Sequence, residues 1–416
     1  MELKSNEEKI TNALLVSVDT GGFDAEASLD ELFELVKSAG ANPVLSVCQK
    51  LAKPETATYV GSGKLQEITD ICKSQEIDLL VFDCELTPSQ INNIESVTDV
   101  RVIDRTMLIL DIFALRAKSK EGKIQVELAQ LKYLLPRLTG KGIAMSRLGG
   151  GIGTRGPGET KLETDKRHIK RRMETLKAQL ENLEKHRSQL RLRREKDGII
   201  TVAIVGYTNA GKSTLMNLLT DAGVLAQDKL FATLDPTSRA LKLPDGNTVM
   251  LIDTVGLIRR LPHHLVEAFK STLEEAAQSD VILNVCDASS DEAQVHMNVT
   301  RDLLYELGCG DTPVITVLNK CDLLPPETDI PCIGNTVKIS AKYNRGIDRL
   351  LKAIEENLPV KMKRGKFLLP FAKAGLAAEI RKNGTVFSEE YENDGIKIDA
   401  LTDLRTYEKI KGFKIE

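Results

Sequence analysis

The chain has 416 residues, which is enough for roughly two to four domains, each with its own core. Its 57 Lys and Arg nearly balance its 60 Asp and Glu, and the net charge of −3 excludes the global basic field of many nucleic-acid binders. Seven scattered cysteines without a CxxC pair indicate neither a disulfide framework nor a zinc site. The polar first residues and the lack of a long apolar run predict a cytoplasmic protein with no signal peptide and no membrane span.

The first part of the chain alternates apolar runs with helical patterns. Strands are predicted at 13–18, 43–47, 78–82 and 100–103, and helices at 28–39, at 64–73 and after Thr87. This alternation predicts a small α/β domain with a largely parallel sheet over residues 1–118. The sequence Gly61-Ser-Gly-Lys64 opens one of the helices and can in principle hold an anion, but it lacks a full phosphate loop and favours a simple turn.

Two long helical patterns follow, each with a heptad seam of apolar residues. The seams consist of Ile124, Leu128, Leu131, Leu135 and Leu138, and of Ile169, Met173, Leu176, Leu180, Leu183 and Leu190. Pro136 should end or kink the first helix near its last turn. We predict an antiparallel helical hairpin over residues 119–197, with a lone core helix as the alternative.

Residues 140–158, between the two helical patterns, contain eight glycines and one proline. Loops of this length are usually functional or disordered, and composition alone leaves a flexible linker equally open. The helix after it, 161–196, carries thirteen Lys and Arg against six Asp and Glu, which favours a nucleic-acid backbone as partner over a merely solvated face. The candidate RNA contacts are Lys141, Arg147, Gly150, Gly151, Arg155, Lys166, Arg167, Arg171 and Arg172.

Residues 201–215, TVAIVGYTNAGKSTL, predict a strand, a glycine loop and a helix. The loop fits GxxxxGK[S/T], in which backbone N–H groups cradle phosphate oxygens at a helix N-terminus. Lys212 would reach the β and γ phosphates, and the Ser213 hydroxyl would ligate Mg²⁺. The predicted nucleotide-binding residues of this loop are Gly206, Tyr207, Thr208, Asn209, Ala210, Gly211, Lys212, Ser213 and Thr214.

Near-continuous apolar runs at 201–205, 248–252, 281–285 and 314–318 predict buried parallel strands of a doubly wound sheet, in a nucleotide domain over residues 198–360. The sequence Asp253-Thr254-Val255-Gly256 follows the second run. Asp253 would contribute to the Mg²⁺ shell, and the Gly256 N–H would contact a γ phosphate.

Two further motifs select the base. Asp322, in Asn319-Lys320-Cys-Asp322, can accept from both the N1–H and the exocyclic amine of guanine, a donor pair that adenine lacks, while the Lys320 stem packs on the ring. The sequence Ser340-Ala341-Lys342, after a strand predicted at 336–339, would offer N–H groups to the guanine oxygen.

The last part of the chain, 361–416, predicts a small α+β domain. The basic residues 361–366 are typical of a linker. A helical pattern at 371–382, a turn at Asn383-Gly384, and alternating segments at 385–387 and 396–398 follow.

The motifs GYTNAGKST, FATLD, DTVG, NKCD and SAK in this order are similar to those of the Obg and HflX group of GTPases, and GGGIGTRGPGETKLETDKR with the basic helix resembles the HflX family specifically. This resemblance, over about 13–358, implies an N-terminal α/β domain, a helical hairpin, a GTPase domain and a small C-terminal domain. It implies binding to the large ribosomal subunit, with rescue or splitting of stalled ribosomes under stress. It also makes the first switch Phe231, Ala232, Thr233, Leu234 and Asp235, with Thr233 completing the Mg²⁺ site.

The expected ligands are therefore GTP or GDP with Mg²⁺, and the expected catalytic residues are Lys212, Thr233 and Gly256. Leu257 stands where a glutamine often orients the attacking water, which predicts slow hydrolysis unless a ribosome stimulates it. We expect a monomer that contacts ribosomal RNA. The alternative is a GTP-dependent switch that binds a protein partner through its hairpin, and the use of ATP by the N-terminal domain stays open.

Overall fold

The computed structural model describes residues 11–138, 161–196, 199–220, 230–231, 237–260, 275–325, 335–359 and 362–415. These residues fall into two compact units. The first unit comprises the described residues up to 188 together with 230–231 and 254–260. The second comprises 189–196, 199–220, 237–253 and the described residues from 275 onward. The predicted α/β fold is confirmed, while the predicted domain boundaries stay predictions.

The first unit contains a four-stranded parallel sheet, the N-terminal sheet, in the order β2-β1-β3-β4. Its strands are β1 (Asn12–Asp19), β2 (Asn42–Lys50), β3 (Leu79–Phe82) and β4 (Arg101–Asp104), and its helices are α1 (Ala25–Ser38), α2 (Ser62–Ser74), α3 (Pro88–Thr98) and α4 (Arg105–Arg116). Thr87 caps α3 in a capping box with Gln90, where the sequence predicts the helix start. Helix α4 was not predicted, because it is apolar on most sides and shows no clear amphipathic period.

The hairpin helices are α5 (Lys120–Leu134) and α6 (Lys161–Lys196), and they pack along the predicted seam through Ile124, Leu128 and Leu176. Helix α5 ends before Pro136, as predicted, and a 3₁₀ turn follows it. Two ion pairs, Glu121 with Arg187 at 3.0 Å and Glu127 with Arg172 at 2.7 Å, show that the helices are antiparallel. The seam assignment of Leu190 is wrong: it is 41% exposed, because Arg187 already faces the first turn of α5 and leaves later residues of α6 no partner there.

The second unit is built around a six-stranded sheet, the central sheet, in the order β10-β9-β8-β5-β7-β6. Its strands are β5 (Ile200–Gly206), β6 (Thr237–Lys242), β7 (Thr248–Asp253), β8 (Val281–Asp287), β9 (Val314–Asn319) and β10 (Thr336–Lys338), and its helices are α7 (Lys212–Thr220), α8 (Ala293–Glu306) and α9 (Ile347–Asn357). All strands are parallel except the edge strand β6. The sheet is doubly wound and mostly parallel, as predicted, and places the carboxyl ends of β5, β7 and β9 along one edge.

The second unit also contains a three-stranded antiparallel sheet in the order β11-β13-β12. Its elements are β11 (Met362–Leu369), β12 (Gly384–Glu392), β13 (Gly395–Asp403), α10 (Ala374–Asn383) and α11 (Leu404–Ile410). The predicted linker at 361–366 is wrong, because β11 begins at Met362 and pairs along its length with β13. Phe367 and Leu369 are buried while Arg364 and Lys366 face outward, and those outward cations gave the segment its linker-like composition. Among the described residues, no helix combines the length and apolar character needed to cross a membrane.

Candidate nucleotide-binding site

The loop between β5 and α7 requires glycine at both predicted positions. Gly206 has φ +146°, and a Cβ there would lie 2.0 Å from the Val285 carbonyl oxygen. Gly211 has φ +92°, and a Cβ there would lie 2.3 Å from Nδ2 of Asn319. The spacing of the two glycines therefore follows from close approaches of the loop backbone to Val285 on β8 and to Asn319 at the end of β9.

Lys212 begins α7 and is only 7% exposed. Its Nζ donates to the carbonyl oxygens of Gly206 at 3.1 Å and Tyr207 at 2.8 Å, so the ammonium group lies inside its own loop. Burial lowers the pKa of Lys212 to about 8, and the nearby charge of Asp253 opposes this shift. A phosphate group near this ammonium would restore its ordinary preference for the charged form.

Ser213 and Asp253 form the predicted metal-binding pair. The Ser213 hydroxyl donates to Oδ2 of Asp253 at 3.0 Å, and Asp253 is fully buried at the end of β7, the strand beside β5. Two hard oxygen atoms at this spacing suit Mg²⁺, which takes its remaining ligands from water and nucleotide phosphates. The residues present therefore fit the ion, and Thr233, the third predicted ligand, lies outside the described residues.

Asn319 connects the phosphate loop to the guanine motifs. Its Nδ2 donates to the Ala210 carbonyl oxygen at 2.9 Å, and its Oδ1 accepts from the Ala341 N–H at 3.0 Å. The sequence placed Asn319 among the binding residues without a specific role. The structure shows that it fixes the two loops relative to each other.

Asp322, the carboxylate predicted to select the base, is held in one orientation by a hydrogen bond. Oδ1 of Asp322 accepts from the Ser340 hydroxyl at 2.5 Å, which leaves its other oxygen for a ligand. Lys320 has φ +61°, and its Nζ pairs with Asp287 at 2.8 Å. Sequence reasoning missed Asp287, although an acidic residue at the end of an apolar strand was a usable signal. A cavity of about 420 Å³ adjoins Asp322 and Ser340.

Tyr207 and His296 form a second contact that the sequence did not predict. Their rings stack with centroids 3.8 Å apart and planes inclined by 14°. His296 lies on α8, so this stack joins that helix to the phosphate loop. Of the other loop residues, Thr208 is buried, Asn209 is exposed with φ +60°, and Thr214 is half-buried.

Residues 254–260 belong to the first unit and are anchored on the N-terminal sheet. Thr254, Val255, Gly256 and Leu257 are all buried. Arg260, at φ +51°, donates from Nη1 to Oδ2 of Asp83 at 3.1 Å and from Nη2 to the Asp83 carbonyl oxygen at 2.9 Å. The segment after the DxxG motif is therefore tied to the end of β3.

Asp83 is itself part of a buried charge cluster. Its Oδ1 accepts from Nη1 of Arg105 at 2.7 Å, and its Oδ2 accepts from the Ser28 hydroxyl at 2.6 Å. Arg105 also pairs with Glu31 and donates to the Arg259 carbonyl oxygen at 3.3 Å. One buried carboxylate thus pairs with two arginines, and its removal would leave buried positive charge without a partner carboxylate, which is strongly destabilising.

Phe231, the first residue of the predicted first switch, is anchored in the same unit. Its ring meets Phe113 of α4 edge-on with centroids 4.6 Å apart, and its φ is +55°. The preceding Leu230 N–H donates to the Ser38 hydroxyl at 3.1 Å. The other predicted residues of this switch, Ala232, Thr233, Leu234 and Asp235, lie outside the described residues.

Most of the predicted RNA contacts also fall outside the described residues: Lys141, Arg147, Gly150, Gly151 and Arg155. On α6, Arg167 and Arg171 are exposed and Lys166 is half-buried. Arg172 makes a bidentate pair with Glu127, at 2.7 and 2.9 Å, and therefore carries less net charge outward than the sequence suggests. Lys342 of the second guanine motif is exposed.

The GSGK sequence is not a separate turn: Gly61 is the N-cap of α2 and the next three residues begin the helix. The Gly61 N–H already donates to Oε1 of Gln49 at 2.9 Å, and Lys64 pairs with Glu67 at 2.8 Å. The N–H and the ammonium that an anion would need both have partners within the protein.

A phosphate loop of this shape, a Ser–Asp pair beside it and a carboxylate at the predicted guanine position are the features of a P-loop GTPase. Residues 201–320 match the family described as 50S ribosome-binding GTPase, and residues 26–114 and 116–194 match the GTP-binding GTPase N-terminal and middle regions.

Nearly the whole chain is similar to curated proteins named GTPase HflX. Identity is 51% over 406 residues with the protein of Lacrimispora saccharolytica, covering 96% of this chain and 95% of that one. It is 42% over 372 residues with the protein of Escherichia coli K12, covering 88% and 87%. The chain therefore belongs to the HflX family of GTPases, it hydrolyses GTP, and the predictions of family and enzymatic class are confirmed.

Among solved structures, a GTP-binding protein from Sulfolobus solfataricus in complex with GDP is 27% identical. The match covers 84% of this chain and 98% of that one, with a TM-score of 0.45.

Proposed function

We propose that this GTPase binds the large ribosomal subunit in the cytoplasm, as a monomer, and splits or rescues stalled ribosomes under stress. The observation that carries the proposal is the surplus of positive charge on α6, where Arg167, Lys170, Arg171, Lys177 and Lys185 are all exposed. Such a helix suits a phosphate backbone. The description of the family that residues 201–320 match, 50S ribosome-binding GTPase, supports the same partner.

The nucleotide chemistry follows from the site residues. Water attacks the γ phosphorus, the bond to the β–γ bridging oxygen breaks, and negative charge accumulates on that oxygen. The buried ammonium group of Lys212 would stabilise this charge, while the Gly256 N–H would hold the γ phosphate. Mg²⁺, held by Ser213, Asp253 and Thr233, would supply charge neutralisation.

Leu257 is 5% exposed and carries no polar atom that can orient water. We therefore propose that hydrolysis is slow in the free protein and is stimulated on the ribosome. Single-turnover GTP hydrolysis with and without purified large subunits tests this point. Fast turnover by the free protein would refute it.

Ribosome binding is tested by cosedimentation with purified large subunits, in the presence of a non-hydrolysable GTP analogue or GDP. We expect binding with the analogue and loss of binding when residues 140–158 are removed. The triple variant Arg167→Gln/Lys170→Gln/Arg171→Gln should also bind more weakly. The matched control, Lys37→Gln/Lys53→Gln/Lys73→Gln, removes the same charge from the N-terminal sheet region and should bind normally. Equal binding by both triple variants would exclude α6 as the contact.

A second candidate is a GTP-dependent switch that binds a protein partner through the hairpin. It is favoured by Leu190 and Leu192 on α6, which are 41% and 56% exposed. Salt separates the two proposals, because phosphate contacts weaken steeply with ionic strength and an apolar contact does not. Cosedimentation that does not change with salt concentration, and that is lost in the variant Leu190→Ser/Leu192→Ser, would favour the protein partner.

A further inference from the structure

A cavity of about 290 Å³ lies in the second unit between α8 and the central sheet, away from the phosphate loop and the guanine motifs. It is lined from the sheet side by residues of β8, β9 and β10, and from the helix side by residues of α8. Its volume is just below the roughly 300 Å³ at which small-molecule sites begin. The cavity can therefore accept a small molecule with one ring or with two fused rings.

The floor of this cavity contains a polar side chain in an otherwise apolar strand. Asn284 lies in the middle of β8 and is only 5% exposed, and its Oδ1 is shielded from solvent without a hydrogen-bond partner. A buried amide oxygen without a donor destabilises the folded state, so most buried polar atoms in native proteins have one. The group that can pair with this oxygen has to enter through the cavity.

The placement of Asn284 also separates two apolar clusters. Side chains alternate along a strand, so Ile282, Asn284 and Cys286 point to the same face of the sheet. Ile282 packs with Leu304 in one cluster, and Cys286 packs with Leu318 in another. Asn284 lies between them, at the position where the cavity opens.

The remaining lining restricts the kind of ligand. It combines apolar side chains with neutral hydrogen-bonding ones, including Asn298, Thr316 and Asn335, and Arg301 is the charged residue among them. The Arg301 side chain is 65% exposed, so its charge lies toward solvent. The Asn284 amide offers a donor and an acceptor side by side, which matches the paired edge of a base such as adenine.

The elements around the cavity also reach the nucleotide site. Helix α8 carries His296, which stacks on Tyr207 of the phosphate loop. Strand β9 ends at Asn319, which bonds both the phosphate loop and the Ala341 N–H. A molecule in the cavity would contact a helix and a strand that both hold the nucleotide loops.

We propose that this cavity is a second ligand site, which takes an uncharged heteroaromatic molecule the size of a nucleobase and pairs it with the Asn284 amide. Occupancy alters the release of guanine nucleotide through α8 and β9.

The test uses the full chain saturated with GDP, so that the guanine site is filled, and adenine and nicotinamide as probes. Binding of each probe, and its saturation, is measured by saturation-transfer difference NMR and by isothermal titration calorimetry. We expect at least one probe to bind with an affinity in or below the millimolar range. The absence of saturable binding of either probe up to about 10 mM would overturn the proposal.

Variants place the binding in the cavity. Asn298→Trp puts an indole at the cavity and should abolish binding, whereas Val295→Trp puts the same group on the exposed side of α8 and should leave binding unchanged. Asn284→Leu should weaken binding by about tenfold or more and should raise Tm, because it removes the unpaired amide. Equal probe binding by Asn298→Trp and Val295→Trp would overturn the assignment. A lower Tm for Asn284→Leu would mean that Asn284 is a structural group.

The link to the nucleotide is measured separately, as the dissociation rate of a fluorescent GDP analogue. We expect the bound probe to change this rate at least about twofold in the parent protein and in Val295→Trp, but not in Asn298→Trp. An unchanged rate at probe saturation would refute the link to the nucleotide.

Discussion

The phosphate loop and the predicted switch residues are held by different parts of the protein. Asn319 and Asp253 of the central sheet fix the phosphate loop, through bonds to Ala210 and Ser213. Arg260 and Phe231 are instead fixed by Asp83 and Phe113 of the N-terminal sheet and its helices. Changes in the N-terminal sheet should therefore reach the residues after the DxxG motif while the phosphate loop stays intact.

Loss of Asp83 should have the largest effect on this arrangement. Asp83→Ala leaves Arg105, whose side chain is 3% exposed, with less than its full set of partners. Removing one partner of a buried ion pair typically costs about 3–5 kcal/mol of unfolding free energy. Urea unfolding measures this loss. The control is Asp30→Ala, at an exposed position of α1, which should change the free energy of unfolding by less than about 0.5 kcal/mol. Equal losses of stability in the two variants would contradict the role of the cluster.

Asp322→Asn should weaken guanine recognition in the second unit and leave the N-terminal sheet unaffected. It replaces an acceptor by a donor toward the guanine N1–H and exocyclic amine, and we expect GTP affinity to fall about 100-fold, with xanthosine triphosphate gaining in relative affinity. Competition binding with the two nucleotides measures the change. Glu356→Gln, an exposed change on α9 outside the cavity beside Asp322, is the control, and an unaltered preference in Asp322→Asn would refute the assigned role.

The lowered pKa of Lys212 predicts a pH dependence of nucleotide binding. Because the pKa falls from 10.5 to about 8, the charged ammonium destabilises the nucleotide-free protein below about pH 8, and this cost fades as the pH rises toward 10.5. Phosphate binding needs the charged form, so binding above pH 8 should take up a proton and weaken by about tenfold per pH unit. Calorimetry at pH 8.5 in two buffers of different ionisation enthalpy measures the proton uptake, and zero uptake would contradict the shift.

Arg260→Ala should have the smallest effect and should separate the two regions most directly. It removes hydrogen bonds to Asp83 and the contact of the guanidinium with Phe23 at 4.2 Å, worth about 1 kcal/mol. Amides 254–260 should then exchange hydrogen about fivefold faster, with the phosphate-loop amides unchanged. Arg239→Ala on the edge strand β6 is the control. Faster exchange throughout the phosphate loop would show that the two regions do not respond separately.

Several elements could be predicted because their signals are local. The phosphate loop shows a fixed spacing of glycines between a strand and a helix, and the hairpin shows a repeated heptad seam. Strand β6 was missed because it lies at the sheet edge with mostly exposed side chains, so it lacks the apolar run that revealed its neighbours. Strand β11 was missed because its outward Arg and Lys residues dominate the composition.

In the candidate site, too, the residues with a local motif could be predicted and those without one could not. The phosphate loop and the guanine motifs could be predicted as candidate binding segments, and their binding roles stay predictions. The contacts of His296, Asp287 and Arg260 were not predicted. His296 and Asp83 carry no motif, and each acquires a role only from the ring or the guanidinium that the fold brings beside it. A side chain of this kind gives no signal in a single sequence.

The sequence by itself determined the family and the shape of the phosphate loop, because each motif behind them rests on spacing within about a dozen positions. The tertiary structure decided which part of the chain holds residues 254–260, since Arg260 and Asp83 are 177 positions apart. It also decided that the amide of Asn284 opens into a cavity between α8 and β9. Contacts between distant residues depend on how the elements pack, and no local period records that packing.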